Sequence, residues 1–166
     1  MNQAVNDFAG QVKLSGEIIE VGSFDCNGSV RDVIPVTVGI DIRKGKNVDR
    51  VMDACDLVKV FGRESFDHGI CVETLEHCED WKEVIRQLFA VVKKDGIIVL
   101  TTPPARKKRH NYPDDFWRFT LDDLLEIFGD NTILYKRENL PGVGVIIKKT
   151  GMLGNLDSIE PSVVNG

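Results

Sequence analysis

Short apolar runs alternate with amphipathic segments of helix length along most of the chain. The clearest apolar runs are Glu17 to Val21, Val36 to Ile42, Ser65 to Val72 and Ile97 to Thr101, and Val48 to Met52 is a weaker one. These lengths are typical of buried strands, and their alternation with helical segments indicates βαβ units. The pattern predicts an α/β fold with a doubly wound, mostly parallel sheet and helices on both faces.

Two segments carry clear helix signals. In Asp80 to Lys94 the apolar residues recur at helical spacing, acids occupy the first turn and lysines the last, and Gly96 is predicted to close the helix. Thr120 and Asp123 have the spacing of a capping box that opens a second helix, Leu121 to Phe128.

Two of the predicted connections between strands are short. Gly28 to Ile34 leaves room for a short crossover helix after the first strand. Near the carboxyl terminus, Pro141 and Gly142 separate the runs Thr132 to Tyr135 and Val143 to Lys148. A turn of that length favours an antiparallel hairpin at one edge of the sheet.

The chain has 166 residues, enough for one domain with a buried core and no need of disulfides or metal. We predict a single domain over residues 1–149, with a short lead-in over 1–13, and a flexible tail over 150–166. The four cysteines form no CxxC pair, so reduced thiols and no metal site are expected, with zinc binding as a remote alternative.

Charge and hydropathy restrict the partners. The formal net charge is −5, which argues against nucleic acid and an anionic membrane surface as partners. No apolar stretch approaches the roughly 20 residues of a membrane span, and Met1 to Gly10 lacks the layout of a signal peptide. These features predict a cytoplasmic protein that binds neither nucleic acid nor a membrane.

Acidic residues stand at the ends of the first three predicted strands, where open α/β sheets bind ligands. Glu20 precedes Gly22 at the end of the first, Asp41 ends the second and Asp53 follows the third. An acid at the position of Asp41 suits hydrogen bonds to ribose hydroxyls, which both NAD and S-adenosylmethionine possess. Asp53, followed by Ala54, can accept a hydrogen bond from an adenine amino group.

The turn after the first strand discriminates between NAD and S-adenosylmethionine. A dinucleotide site requires GxGxxG, but the turn reads GSFDCNG, with Phe24 at the second glycine. Asp25 would add negative charge beside a pyrophosphate. S-adenosylmethionine has no phosphate and carries a sulfonium and an ammonium group, so Glu20 and Asp25 favour it.

Taken in order, the segments EVGSFDCNG, GIDI, MDA, SFDHGICVETLEH and KKDGIIVLTTP resemble the motifs of class I S-adenosylmethionine-dependent methyltransferases. The resemblance covers Glu17 to Phe128 and implies a Rossmann-like fold. It is nearest to the branch that methylates small metabolites and sugar-derived intermediates and has an LEH motif after the fourth strand.

The resemblance implies which residues hold S-adenosylmethionine and its product S-adenosylhomocysteine. The first motif would cradle the methionine part, Asp41 the ribose and Asp53 with Ala54 the adenine, while backbone after the fourth strand would touch the methionine part. The predicted cofactor-binding residues are Glu20, Gly22, Ser23, Gly28, Asp41, Ile42, Asp53, Ala54, Cys71 and Val72.

The loop His110 to Thr120 resembles the substrate wall of that branch. The predicted substrate-binding residues are His77, His110, Tyr112, Trp117 and Arg118. His110 and Tyr112 are candidates for a general base, and a solvated loop is the alternative. His77 has capping of the following helix as its alternative role, and Trp117 has anchoring of the loop to the core.

These observations predict methyl transfer to a small-molecule acceptor, with O-, N- and C-methylation all open. The basic run from Arg106 to Arg109 leaves an anionic or sugar-derived acceptor as one option and a solvated loop as the other. An inactive relative that binds S-adenosylmethionine to assist a partner is the alternative function, and a NAD-dependent oxidoreductase is disfavoured. Few residues precede the first strand to cover the substrate, so a homodimer is a further option.

Overall fold

The computed structural model describes residues 3–26, 28–105, 107–108, 114–138 and 142–163. The helices are α1 (Gln3–Ala9), α2 (Leu57–Phe61), α3 (Trp81–Val91) and α4 (Leu121–Phe128). The strands are β1 (Ile18–Val21), β2 (Val38–Asp41), β3 (Arg50–Val51), β4 (Phe66–Val72), β5 (Val92–Thr102), β6 (Trp117–Arg118), β7 (Thr132–Arg137), β8 (Val143–Lys148) and β9 (Ser162–Val163).

Seven of the strands form one mixed sheet in the order β3-β2-β1-β4-β5-β8-β7. The first five are parallel, and β8 runs antiparallel between β5 and β7. The mostly parallel α/β sheet with an antiparallel carboxyl-terminal edge is therefore confirmed. Strands β6 and β9 form a separate two-stranded ladder.

The sheet has a buried layer on each face. Residues of α2, α3 and α4 form one apolar cluster with Ile19 and Val21 of β1. The alternate residue Ile18 belongs to a second cluster with Val5 and Phe8 of α1. Because side chains alternate across a strand, these clusters lie on opposite faces, which confirms helices on both sides.

The crossover between β1 and β2 is less helical than predicted. Only Val30–Asp32 forms a 3-10 helix, and the Ser29 side chain caps it by accepting a hydrogen bond from the Arg31 N–H. Pro35 lies three residues after the end of this 3-10 helix, and the residue before a proline avoids helical backbone angles. The short predicted helix is thus reduced to one turn.

Helix α3 ends earlier than predicted. The helix ends at Val91 and the chain passes directly into β5. Residues 92–94, which were predicted to be helical, are therefore the first residues of that strand. The Lys149 ammonium donates to the carbonyls of Phe89 and Val92 at 2.9 and 2.7 Å. The Lys149 side chain, directly after β8, therefore caps the helix end that Gly96 was predicted to close.

Gly96 has a different role from the predicted helix closure. It lies inside β5, and a Cβ atom there would be 2.3 Å from the Asp67 carbonyl oxygen. The glycine therefore permits close approach of β5 to the first residues of β4. Lys93 pairs across the same gap with the Asp67 carboxylate at 2.7 Å.

The prediction of a flexible tail is wrong for residues 150–163. Leu156 and Ile159 are 4% and 3% exposed, and the Gly154 N–H donates to the carbonyl of Ile127 in α4. The Asn131 side-chain oxygen also accepts from the backbone of residues 150 and 151. Burial of the two apolar side chains explains why this segment is held to the domain.

Among the described residues, no helix has the length and apolar character needed to cross a bilayer. Helix α3 has 11 residues, about half of the roughly 20 that a membrane-spanning helix needs.

The predicted capping box at α4 is present. Thr120 Oγ1 accepts from the Asp123 N–H at 3.1 Å, and the Asp123 carboxylate accepts from the Thr120 N–H at 2.6 Å. We expect Thr120→Ala to lower the free energy of unfolding by about 1 kcal/mol, while Thr120→Ser keeps most of it. Urea denaturation measures both variants, and equal losses would show that the cap contributes nothing.

Candidate active site

The carboxyl ends of the three central parallel strands meet at one edge of the sheet. Val21 of β1 is in register with Ile40 of β2 on one side and with Cys71 of β4 on the other. Glu20, Asp41 and the segment after Cys71 therefore lie at neighbouring strand ends, as predicted from the chain.

Buried polar atoms without partners mark the end of β1. Glu20 is 3% exposed, and its Oε2 lies 3.6 Å from Arg31 Nε, an ion pair beyond hydrogen-bond distance. Within the described part of the chain, Glu20 Oε2, Arg31 Nε and Ser23 Oγ have no hydrogen-bond partner. Burial raises the pKa of Glu20 to about 7, although Arg31 opposes this shift.

Gly39 brings Arg31 and Ser23 to this point. A Cβ atom on Gly39 would lie 2.4 Å from Arg31 Nη2 and 2.6 Å from Ser23 Oγ. Any side chain there would displace both groups, so the glycine maintains the polar cluster. Arg31 is also fixed from outside by Asp49, whose carboxylate is 2.5 Å from Nη2.

Gly22 brings the loops after β1 and β4 together. Its φ is +78°, a left-handed conformation that favours glycine, and a Cβ atom would lie 2.0 Å from Thr74 Oγ1. The Gly28 N–H donates to Asp25, which also pairs with Lys46 at 2.7 Å. These hydrogen bonds, first that from Lys46, lower the pKa of Asp25.

Phe24, which replaces the second glycine of a dinucleotide turn, packs against the loop after β2. The Arg43 guanidinium lies 4.7 Å from the ring centroid, and a Cβ on Gly45 would be 1.9 Å from the ring. The ring therefore fills the space next to residues 43–45, and Gly45 is required for it to do so.

Asp41 is 9% exposed, and its two oxygens have unequal partners. Oδ1 accepts from the Arg43 N–H at 2.8 Å, whereas Oδ2 has a longer hydrogen bond of 3.4 Å from the Phe24 N–H. Next to it, the Ile42 side chain is 72% exposed, which is unusual for a large apolar residue at a strand end.

The residues after β3 have a local structural role. The Asp53 carboxylate accepts from the Cys55 N–H at 2.8 Å and caps the 3-10 helix Ala54–Asp56. Ala54 itself is 8% exposed. Contact of this pair with adenine stays a prediction.

The LEH triplet forms the 3-10 helix Leu75–His77 directly after β4, whose terminal residues Cys71 and Val72 are buried. His77 Nδ1 lies 2.6 Å from the Asp114 carbonyl, and the Phe116 N–H donates to the Glu76 carbonyl. The triplet therefore holds the loop before β6. The side chain of Asp80, rather than His77, caps α3.

Two candidates of the substrate wall, Trp117 and Arg118, lie among the described residues, and both side chains form hydrogen bonds within the domain. The Trp117 indole N–H donates to the Cys78 carbonyl at 2.9 Å. Arg118 binds the buried Asp115 carboxylate with two nitrogens and also donates to the carbonyls of Lys107 and Lys108. Substrate contact by Trp117 and Arg118 stays a prediction.

Four other residues considered for the acceptor side, Arg106, Arg109, His110 and Tyr112, lie outside the described residues.

A pocket that the sequence did not reveal lies beside the end of β4. Its lining residues are Ala4, Val5, Phe8, Glu73, Thr101, Arg137, Gly142, Val143 and Gly144. Glu73 directly follows β4, so the same search for acids at strand ends would have found it. Its neighbours from α1 and β8 are remote in sequence and gave no signal.

The polar groups at this edge fit S-adenosylmethionine. Glu20 is a buried carboxyl, and its Oε2 accepts no hydrogen bond from the described residues, which suits an ammonium group. Asp41 has one weakly bonded oxygen for a hydroxyl, and the exposed Ile42 offers an apolar surface for adenine. When bound, this cosubstrate supplies an electrophilic methyl group.

Solved structures share this fold. The chain is similar to a methyltransferase from Thermotoga maritima described as a possible histamine N-methyltransferase, with 15% identity, TM-score 0.64 and coverage of 89% of this chain and 92% of that one. It is also similar to an S-adenosylmethionine-dependent methyltransferase from Methanosarcina mazei, with 16% identity, TM-score 0.59 and coverage of 90% and 98%.

A third similar structure is the 1,6-didemethyltoxoflavin-N1-methyltransferase of Burkholderia thailandensis with its substrate and S-adenosylhomocysteine. It has 12% identity, a TM-score of 0.66 and coverage of 90% of this chain and 80% of that one. No curated protein sequence matches the chain.

At the sequence level, residues 31–100 match the family described as Methyltransferase domain. This segment runs from the crossover after β1 nearly to the end of β5 and contains Asp41, Asp53 and the LEH triplet. This segment of the chain is therefore similar to the methyltransferase family in sequence, and the chain as a whole shares the fold of solved S-adenosylmethionine-dependent methyltransferases.

Proposed function

We propose that this domain transfers the methyl group of S-adenosylmethionine to a small-molecule acceptor at the carboxyl edge of its sheet. The observation that carries the proposal is that Glu20 Oε2 and Ser23 Oγ, near Asp41, are buried and make no hydrogen bond within the described part of the chain. Unpaired buried polar groups are costly, so their presence at a strand edge supports a polar ligand that completes them.

The proposed binding roles follow from these contacts. Glu20 neutralises the ammonium of the methionine part, and Asp41 accepts hydrogen bonds from ribose hydroxyls through the oxygen that Phe24 holds weakly. Ile42 packs on the adenine, and Asp53 with Ala54 borders its amino group. The protein's contribution to transfer is to align donor and acceptor and to exclude water.

Two other functions make different predictions. A NAD-dependent oxidoreductase needs bare backbone at the first turn, whereas Phe24 and the paired Asp25 stand in this one. A relative that only assists a partner would bind S-adenosylmethionine and form no S-adenosylhomocysteine with any small acceptor. Measurement of S-adenosylhomocysteine release over an acceptor panel separates this function from transfer.

Asp41→Asn is expected to weaken binding of S-adenosylmethionine and S-adenosylhomocysteine by about 10- to 100-fold, since hydrogen bonds to a charged group contribute about 1.5–3 kcal/mol. The amide can still accept from the Arg43 N–H, so the loop keeps its shape. Calorimetric titration with both ligands and NAD measures the effect, and Asp122→Asn on the exposed side of α4 is the control. Unchanged affinity in Asp41→Asn, or binding of NAD alone, would contradict the proposal.

A further inference from the structure

Three hydrogen bonds join the segment after β4 to the loop that leads into β6. Each links the 3-10 helix Leu75–His77, which we call the LEH helix, or its C-cap residue to residues 114–117. The pairs are the Glu76 carbonyl with the Phe116 N–H at 2.9 Å, the Cys78 carbonyl with the Trp117 indole N–H at 2.9 Å, and His77 Nδ1 with the Asp114 carbonyl at 2.6 Å. Of these three bonds, the one from His77 is made by a side chain of the triplet.

This contact lies at the edge of the sheet proposed for methyl transfer. The LEH helix follows β4 and the loop follows β5, and Val72 of β4 is in register with Thr101 near the end of β5. Thr74, the N-cap of the LEH helix, also borders the turn after β1, because a Cβ atom on Gly22 would lie 2.0 Å from its Oγ1. The LEH helix therefore has the turn after β1 on one side and residues 114–117 on the other.

The hydrogen bonds of His77 determine where its proton lies. A carbonyl oxygen can only accept, so Nδ1 donates to Asp114 and carries a proton. Nε2 lies 3.5 Å from Glu76 Oε1, an approach that is favourable when one of these two atoms carries a proton. Both ring nitrogens therefore face groups of the protein, which leaves neither of them directed at an acceptor.

The Glu76 carboxyl is a buried partner for this ring. The residue is 1% exposed, and its Oε2 makes no hydrogen bond within the described part of the chain. The imidazole lies between this carboxyl and the Asp114 carbonyl, so it connects the LEH helix with the backbone of the loop.

We propose that His77 is a positioning residue for methyl transfer, which holds residues 114–117 beside the cofactor edge through its Nδ1–H and takes no proton from the acceptor. The proposal rests on the proposed function and assigns His77 a different role from direct contact with the substrate. Because the loop borders this edge of the sheet, its position sets one wall of the acceptor site.

Two substitutions distinguish a positioning histidine from a general base. The side-chain nitrogen of asparagine is as many bonds from Cβ as Nδ1 of histidine, and that of glutamine is as many as Nε2. His77→Asn therefore keeps the donor to the Asp114 carbonyl, whereas His77→Gln loses it, and both variants remove the basic group. His77→Asn is thus the matched control for His77→Gln.

The readout is hydrogen exchange of the Trp117 indole N–H, followed by NMR in ¹⁵N-labelled protein saturated with S-adenosylhomocysteine. Opening of the loop breaks all three bonds, so loss of one of them should speed this exchange about 2- to 10-fold in His77→Gln. His77→Asn should exchange at the wild-type rate. Trp81, the other tryptophan and 2% exposed in the core, should exchange unchanged in both variants.

The ring nitrogens of histidine give a spectroscopic signature in the same sample. We expect His77 to carry a proton on Nδ1. His68 is the internal reference of opposite tautomer, because its Nδ1 accepts from the Ile97 N–H at 3.0 Å and its proton must therefore lie on Nε2. The ¹⁵N chemical shifts of the two rings separate these forms.

The proposal would be overturned by wild-type exchange of the Trp117 indole in His77→Gln, by equal acceleration in both variants, or by acceleration that Trp81 shares. An unprotonated Nδ1 of His77 would also overturn it, and so would weaker S-adenosylhomocysteine binding by His77→Asn. In the acceptor panel, loss of turnover in both variants would assign His77 the role of a base. Failure of the wild type to bind S-adenosylhomocysteine would instead refute the proposed function, while exchange in the ligand-free protein would still decide whether His77 holds the loop.

Discussion

Arg118→Met is expected to lower the free energy of unfolding by about 3–5 kcal/mol, the usual cost of breaking a buried ion pair from one side. Arg118 and Asp115 are 2% and 1% exposed, and the guanidinium binds both carboxylate oxygens. The substitution leaves Asp115 charged and buried, and it removes the donors to the carbonyls of Lys107 and Lys108.

The measurement is urea denaturation of the wild type and three variants. Arg86→Met is the matched control, because Arg86 pairs with Asp157 at the exposed surface, where such pairs contribute about 0–1 kcal/mol. A third variant with Arg118→Met and Asp115→Leu together should recover much of the loss, since it leaves no unpaired charge. Equal losses in Arg118→Met and Arg86→Met would show that the buried pair does not hold the loop.

The elements that the sequence predicted best are those that local interactions define. The bounds of α4 agree with the prediction because Thr120 and Asp123, three positions apart, cap each other. The strand β8 agrees from Val143 to Lys148 because it is a continuous apolar run in a buried position. The position of the acidic residues at one edge of the sheet was also predictable, because parallel strands bring their carboxyl ends to the same edge.

The errors occurred where a distant residue decides the local structure. The end of α3 was placed too late because its cap comes from Lys149, about 60 residues away. The packing of Leu156 and Ile159 could not be seen in a stretch with little periodicity. The pocket beside Glu73 was missed for the same reason, because its lining combines Glu73 with residues of α1 and β8.

The role of Glu20 could be predicted only in part. Its position at the end of β1 predicted contact with the cofactor. The surroundings of its buried Oε2, however, depend on Arg31 from the crossover and on the absence of a side chain at Gly39. Those groups meet only in the folded sheet. The pKa shift that follows from the burial was therefore beyond sequence analysis.

Glu20→Gln is expected to stabilise the ligand-free protein at pH 8 by about 1–3 kcal/mol. The pKa of Glu20 is about 7 in the folded protein against an ordinary value of 4.5. Between these values the unfolded chain loses a proton that the folded chain keeps, so Glu20 lowers stability as pH rises from about 4.5 to 7. Above pH 7 the penalty is constant at about 3 kcal/mol, and below pH 4.5 it vanishes.

Thermal or urea unfolding at pH 4.5, 6 and 8 tests this sign. The stability difference between Glu20→Gln and wild type should be small at pH 4.5 and largest at pH 8. Glu160→Gln, at an exposed position, should match the wild type throughout. A variant that is less stable than wild type at pH 8 would show that the ion pair with Arg31 outweighs the burial of the carboxyl.

The same carboxyl makes cofactor binding pH-dependent. An ammonium group binds the ionised form, so binding of S-adenosylhomocysteine at pH 6 should release a proton from Glu20, whereas binding at pH 8.5 should not. Calorimetry in two buffers of different ionisation enthalpy detects this proton, and Glu20→Gln should abolish it while weakening affinity about tenfold or more. Proton release that persists in Glu20→Gln would assign the titrating group elsewhere. If both results hold, the carboxyl that costs the empty domain stability is the one that recognises the methyl donor.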